Sequence, residues 1–109
     1  MNMPAIVCAP LVMAAILLLA GPGTAKADAV RGHGLAEQWC SQCHGIRPSE
    51  PSANSDAPTF SAIAAEPSAT PYALRTFLRV PHPTMPNFII KPDDIDDTVG
   101  YITSLKPQK

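Results

Sequence analysis

Apolar residues are massed at the start of the chain and then thin out into short, periodic sets. Positions 5–20 are almost unbroken Ala, Ile, Val, Leu and Met, with Cys8 and Pro10 among them. That run falls short of the about 20 apolar residues a membrane span needs. Ala25-Lys26-Ala27 follows, with small residues spaced as at a signal cleavage site. The pattern predicts a secretory signal over 1–27, removed to leave a domain over 28–109. No basic residue precedes Lys26, which leaves a retained membrane anchor as the alternative. Cys8 reads as one more apolar residue of that segment.

Beyond it the pattern is helical and broken. A first helix is expected over 29–39, with Leu35 and Trp39 four apart on one face. Gly32 and Gly34 weaken it by about 1 kcal/mol each relative to alanine, so they call for a packing reason or mark a frayed turn. Positions 46–58 carry Pro48, Pro51 and Pro58 among Ser, Asn, Asp and Ala, without an apolar period, and read as a loop. Thr70-Pro71 is an N-cap followed by proline at the first helical position. It opens a helix with Leu74, Phe77 and Leu78 as its stripe, stopped by Pro81. Arg75 and Arg79 lie on another face and read as solvated, with contacts to a cofactor or partner as the alternative. A last helix is expected over 93–105, with Ile95, Val99, Ile102 and Leu105 inward. Asp93, Asp94, Asp96 and Asp97 crowd its first turns, where the helix dipole favours negative charge. A docking patch is the other reading of these aspartates. No stretch alternates like a strand, so the class is all-α.

Composition narrows the picture. Once Lys26 leaves with the signal, seven basic residues face nine acidic ones, and no basic patch suggests nucleic acid. A domain this small is marginal without a staple. Ten of the chain's thirteen prolines fall within it and cut it into short pieces.

The staple is written in Cys40-Ser41-Gln42-Cys43-His44. Two cysteines two residues apart, followed at once by histidine, is the pattern of covalent c-type haem attachment. Cys40 and Cys43 would form the thioethers, and His44 would bind the iron. A zinc site would need a second ligand pair, and a redox dithiol would need a βαβ context. Neither is visible. Export agrees with the motif, because bacterial haem c is attached outside the cytoplasmic membrane.

The second iron ligand is sought among Met and His, the usual choices for electron-transfer haems. With Met1, Met3 and Met13 in the signal, Met85 is the methionine left to the domain. It sits between Pro83 and Pro86, in a stiff extended segment outside any helical stripe. His82, three residues earlier, is the competitor.

In this order of motifs the chain resembles the class I monohaem cytochromes c. The residues that carry the resemblance are Gly32 and Leu35, then Cys40 to His44, then Ala57-Pro58-Thr59-Phe60, then Pro83-Thr84-Met85-Pro86-Asn87-Phe88, then Val99-Gly100-Tyr101-Ile102. The resemblance implies three to four short helices and loops around one covalent haem c. It implies that Gly32 lies where the first helix crosses the last, against Tyr101. It implies that the Pro58 carbonyl accepts the Nδ1 proton of His44, with Pro48 as alternative, and that Met85 is the distal ligand. Leu78 and Phe88 are expected to pack on the haem. The loop after the motif departs from the family in being rich in Ser and Pro and poor in Gly.

The expected function is periplasmic one-electron transfer without catalysis. The expected partners are redox proteins, a dehydrogenase or a terminal oxidase or reductase, and a membrane only if the signal is retained. Two alternatives stand beside it. One is a small haem subunit of a periplasmic dehydrogenase, and the other is a haem enzyme or gas sensor with an open axial site.

Overall fold

The computed structural model describes residues 26–81 and 83–109. The proposed signal up to Ala25, and the competing ligand His82, lie outside the described residues. Among the described residues there are four helices, α1 (Ala29–Trp39), α2 (Phe60–Ala65), α3 (Pro71–Arg79) and α4 (Pro92–Ser104). Among the described residues there is no strand, and the all-α expectation holds.

Three of these helices begin where a short polar side chain covers their open N–H groups. The Asp28 carboxylate accepts from the Val30 and Arg31 amides, both at 3.0 Å. Thr59 Oγ1 accepts from Ala62 N, and Thr70 Oγ1 from Ala73 N, each at 3.1 Å. Such a cap typically contributes about 1 kcal/mol. α4 starts instead on Pro92 at its first turn, with Asp93 and Asp94 beside it. α2 has six residues, fewer than two turns, and no readable period, and the sequence pattern did not predict it.

α4 is the element on which the others converge, and α1 lies on it most extensively. Gly32 makes this possible. A Cβ there would stand 1.9 Å from the Asp97 carbonyl oxygen and 3.0 Å from Thr98 N. The glycine therefore has a packing reason, and its closest approach is to the backbone one turn before Tyr101. Gly34 has nothing within 4 Å of such a Cβ. The buried line of α1 is Gly32 and Ala36, while Leu35 and Trp39 are only half-buried. The stripe of α4 is as expected: Ile95, Val99 and Ile102 are buried and Leu105 packs against the core.

The aspartates of α4 do more than answer the helix dipole. Arg31 of α1 pairs with both Asp94 and Asp97. The Asp28 amide donates to Asp97 Oδ1 at 2.8 Å. Arg75 of α3 donates to Asp96 Oδ1 at 2.5 Å. Three of the four carboxylates thus tie neighbouring helices to α4, and Arg75 is drawn to that helix rather than into solvent. The Asp28 amide, and then Arg31, hold the Asp97 carboxyl below the usual carboxylate range.

The core joins Ala36, Ile46, Phe60, Ala64, Tyr101 and Ile102. Ile46 opens the proline-rich loop yet is fully buried. The Tyr101 hydroxyl donates to its carbonyl at 2.7 Å. One end of that loop is in this way nailed to the α1–α4 pair, and the rest is free to form a wall.

Candidate functional site

α1 runs directly into the CxxCH turn. The Cys43 and His44 amides both donate to the Cys40 carbonyl, at 3.1 and 2.9 Å. This tight turn delivers Cys43 and His44 to a cavity of about 400 Å³. Both cysteines are free thiols, and Cys40 lies against the core. Burial, and then the neighbouring Cys43, push the Cys40 thiol up to about 11. A redox dithiol needs a lowered thiol instead. A zinc site is no better supported, since no three His, Cys, Asp or Glu among the described residues could hold a metal.

The loop is organised around His44. Its Nδ1 donates to the Pro58 carbonyl at 2.6 Å, and Pro48 plays no part in that bond. The bond fixes the ring and leaves Nε2 as the nitrogen with a free lone pair. Several contacts hold Pro58 in place. Asn54 N donates to the Cys43 carbonyl at 3.1 Å, and Phe60 N to the Gly45 carbonyl at 2.8 Å. Glu50 accepts from the Ile46 and Arg47 amides, at 2.9 and 3.0 Å. These bonds, the Arg47 amide first, lower its carboxyl. Gly45 is required by the return of the loop, because a Cβ there would meet the Glu50 carbonyl at 2.0 Å.

The same cavity is lined by Met85, carried with Thr84 and Pro86 from the segment between α3 and α4. Met85 is thus brought together with Cys43 and His44, which lie far earlier in the sequence. Ile63, Leu74 and Phe77 supply apolar wall, and Asn54 and Asp56 supply polar edge.

Leu78 and Phe88, expected to pack there, are not part of this wall. The reason for Leu78 is helical geometry. Each residue advances about 100° around a helix, which puts Leu78 between Leu74 and Arg75. Arg75 faces Asp96 on α4, so Leu78 turns to that side and Phe77 turns to the cavity. Phe88 stands beyond the Met85 segment and is 43% exposed. Leu74 and Phe77 were legible as a stripe; Ile63, on the short α2, carried no periodic signal.

These residues fit a covalently held haem: two free thiols at the motif spacing, an oriented imidazole, a thioether and an apolar slot. A helical domain with that arrangement is of the c-type cytochrome class. Cytochrome c-552 of Bradyrhizobium diazoefficiens is 35% identical over 94 residues, covering 84% of this chain and 90% of the relative. No protein-family model and no solved structure matches. The chain belongs to the class I monohaem cytochrome c family. It is a haem c electron carrier with one covalently bound haem, and Cys40 and Cys43 fit the attachment motif.

Proposed function

We propose that the protein is an exported one-electron carrier, with haem tethered by Cys40 and Cys43 and ligated by His44 and Met85. The observation that carries this reading is the shared cavity of His44 and Met85, with His44 Nδ1 already engaged by Pro58. When bound, the haem supplies an iron that cycles between ferric and ferrous states. His44 offers Nε2 in an orientation that the Pro58 bond fixes. Met85 offers a soft sulfur, which favours the reduced state more than a second imidazole does. Ile63, Leu74 and Phe77 exclude water, and low polarity also disfavours the oxidised state.

With His44 and Met85 both holding the iron, neither of them would leave room for a substrate to bind it, which is why the reading is a carrier and not an enzyme. The apolar run over 5–20 and the Ala25-Lys26-Ala27 cleavage pattern support export to the periplasm. No helix among the described residues is long and apolar enough to cross a membrane. Soluble redox proteins of the same compartment are the partners this reading requires.

The test is spectroscopic. The oxidised protein is expected to show the sulfur-to-iron charge-transfer band, and Met85→Ala to lose it. Reduced Met85→Ala should bind carbon monoxide rapidly while the parent does not. A band that survives Met85→Ala, or a parent that binds carbon monoxide equally fast, overturns Met85 ligation.

A further inference from the structure

His44 is one end of a file of rings that crosses the core. Its ring centroid lies 5.6 Å from that of Phe60, tilted by 51°. Phe60 lies 6.3 Å from Tyr101. Tyr101 lies 4.9 Å from His33, edge to face at 71°. Phe60 and Tyr101 are buried, and His33 reaches the surface with its side chain about one-third exposed. Offset and edge-to-face pairs at such spacings are in van der Waals contact. The file surfaces in a shallow recess between α1 and α4, lined by Ala29, Val30, His33, Tyr101 and Ser104. The cavity wall around Met85 does not include any of these five residues.

Electron tunnelling weakens steeply with each gap between packed atoms, and π-systems in contact shorten the effective gap. We infer that Phe60, Tyr101 and His33 form an electron relay that couples the iron ligand His44 to the α1–α4 face, giving the carrier an electron port away from the Met85 cavity. This rests on the proposed ligation by His44. The transfer moves one electron and no proton, so the Tyr101 hydroxyl keeps its bond to the Ile46 carbonyl throughout. That bond also sets up a rival route, because Ile46 is only two residues from His44. The rings and the hydrogen bond must therefore be separated by experiment.

In the mature holoprotein Cys40 and Cys43 are consumed as thioethers, so an introduced cysteine is a unique label site. Val30→Cys, at a residue 84% exposed on the rim of the recess, carries a photoactive ruthenium(II) complex. A flash in the presence of hexaammineruthenium(III), which takes one electron from the excited label, leaves ruthenium(III) on the protein. That centre then takes one electron from the ferrous haem, and the rate is read optically. Phe60→Leu and Tyr101→Leu are expected to slow it by roughly an order of magnitude. Tyr101→Phe, which keeps the ring and loses the hydroxyl, should leave it within twofold. A label at Lys91→Cys, off the ring file, should report the same rate in all of them.

Each variant is first checked for the spectrum of His44-ligated haem. If the parent lacks it, the ligation and the relay fall together. If the spectra are intact and every Val30 rate lies within twofold, the relay alone is overturned. It is also overturned if Tyr101→Phe slows transfer as much as Tyr101→Leu while Phe60→Leu does nothing, since the hydrogen bond would then carry the coupling.

Discussion

Gly32 and Gly34 are two residues apart on one helix and are set for opposite fates. A methyl at Gly32 would enter the Asp97 carbonyl, and rigid backbone cannot step aside. Gly32→Ala is therefore expected to destabilise at the upper end of about 1–3 kcal/mol. Gly34 faces open space inside α1, and there a methyl only restrains the unfolded chain and favours the helix. Gly34→Ala should stabilise by about 0.5–1 kcal/mol. Denaturant midpoints of the two holoproteins check both signs. Sequence alone left the two glycines alike, since helix propensity treats them equally. Only family likeness separated them, because what differs is a neighbour some 65 residues away. His44 and its cysteines were legible for the opposite reason: their chemistry is complete within five residues.

At the scale of elements, the Thr70 cap was legible, while Asp28 and Thr59 cap α1 and α2 without having been read so, and partners were not legible at all. The aspartates of α4 looked like a response to the helix dipole, yet Asp94, Asp96 and Asp97 mostly serve contacts with α1 and α3. Leu78 failed as a wall residue because a stripe names a side of a helix, not which neighbour each edge of it meets. One consequence is acid sensitivity. The folded-state carboxyls of Asp97 and Glu50 sit below their unfolded values. Their contribution is thus fully present above the usual carboxylate range and is lost as pH falls through the lowered folded values. Thermal midpoints should be flat near neutrality and fall below about pH 4. Asp97→Asn should start lower and fall less steeply on that acid limb, as followed by circular dichroism. An unchanged slope would mean that the α1–α4 tie contributes nothing to it.

For the molecule as a whole, the expected order held: attachment turn first, methionine segment late, closing helix last. The path of the proline-rich loop was not legible, since fixing it depends on Ile46, Gly45 and Glu50 meeting partners that no local pattern names. The described core is small, and the cavity bounded by Ile63, Leu74 and Phe77 divides it from the Met85 segment. A domain of this size is marginal without the apolar body that two thioethers would hold beside this core. Replacing both Cys40 and Cys43 with serine should therefore abolish cooperative thermal unfolding, while the single replacements lower the midpoint. The Asp28 amide and the Asp97 carboxylate that receives it are 69 residues apart. α1 therefore gains its main partner only when the chain through α4 is present. Closing the domain depends on a contact of long sequence separation, the kind that is slow to form in folding.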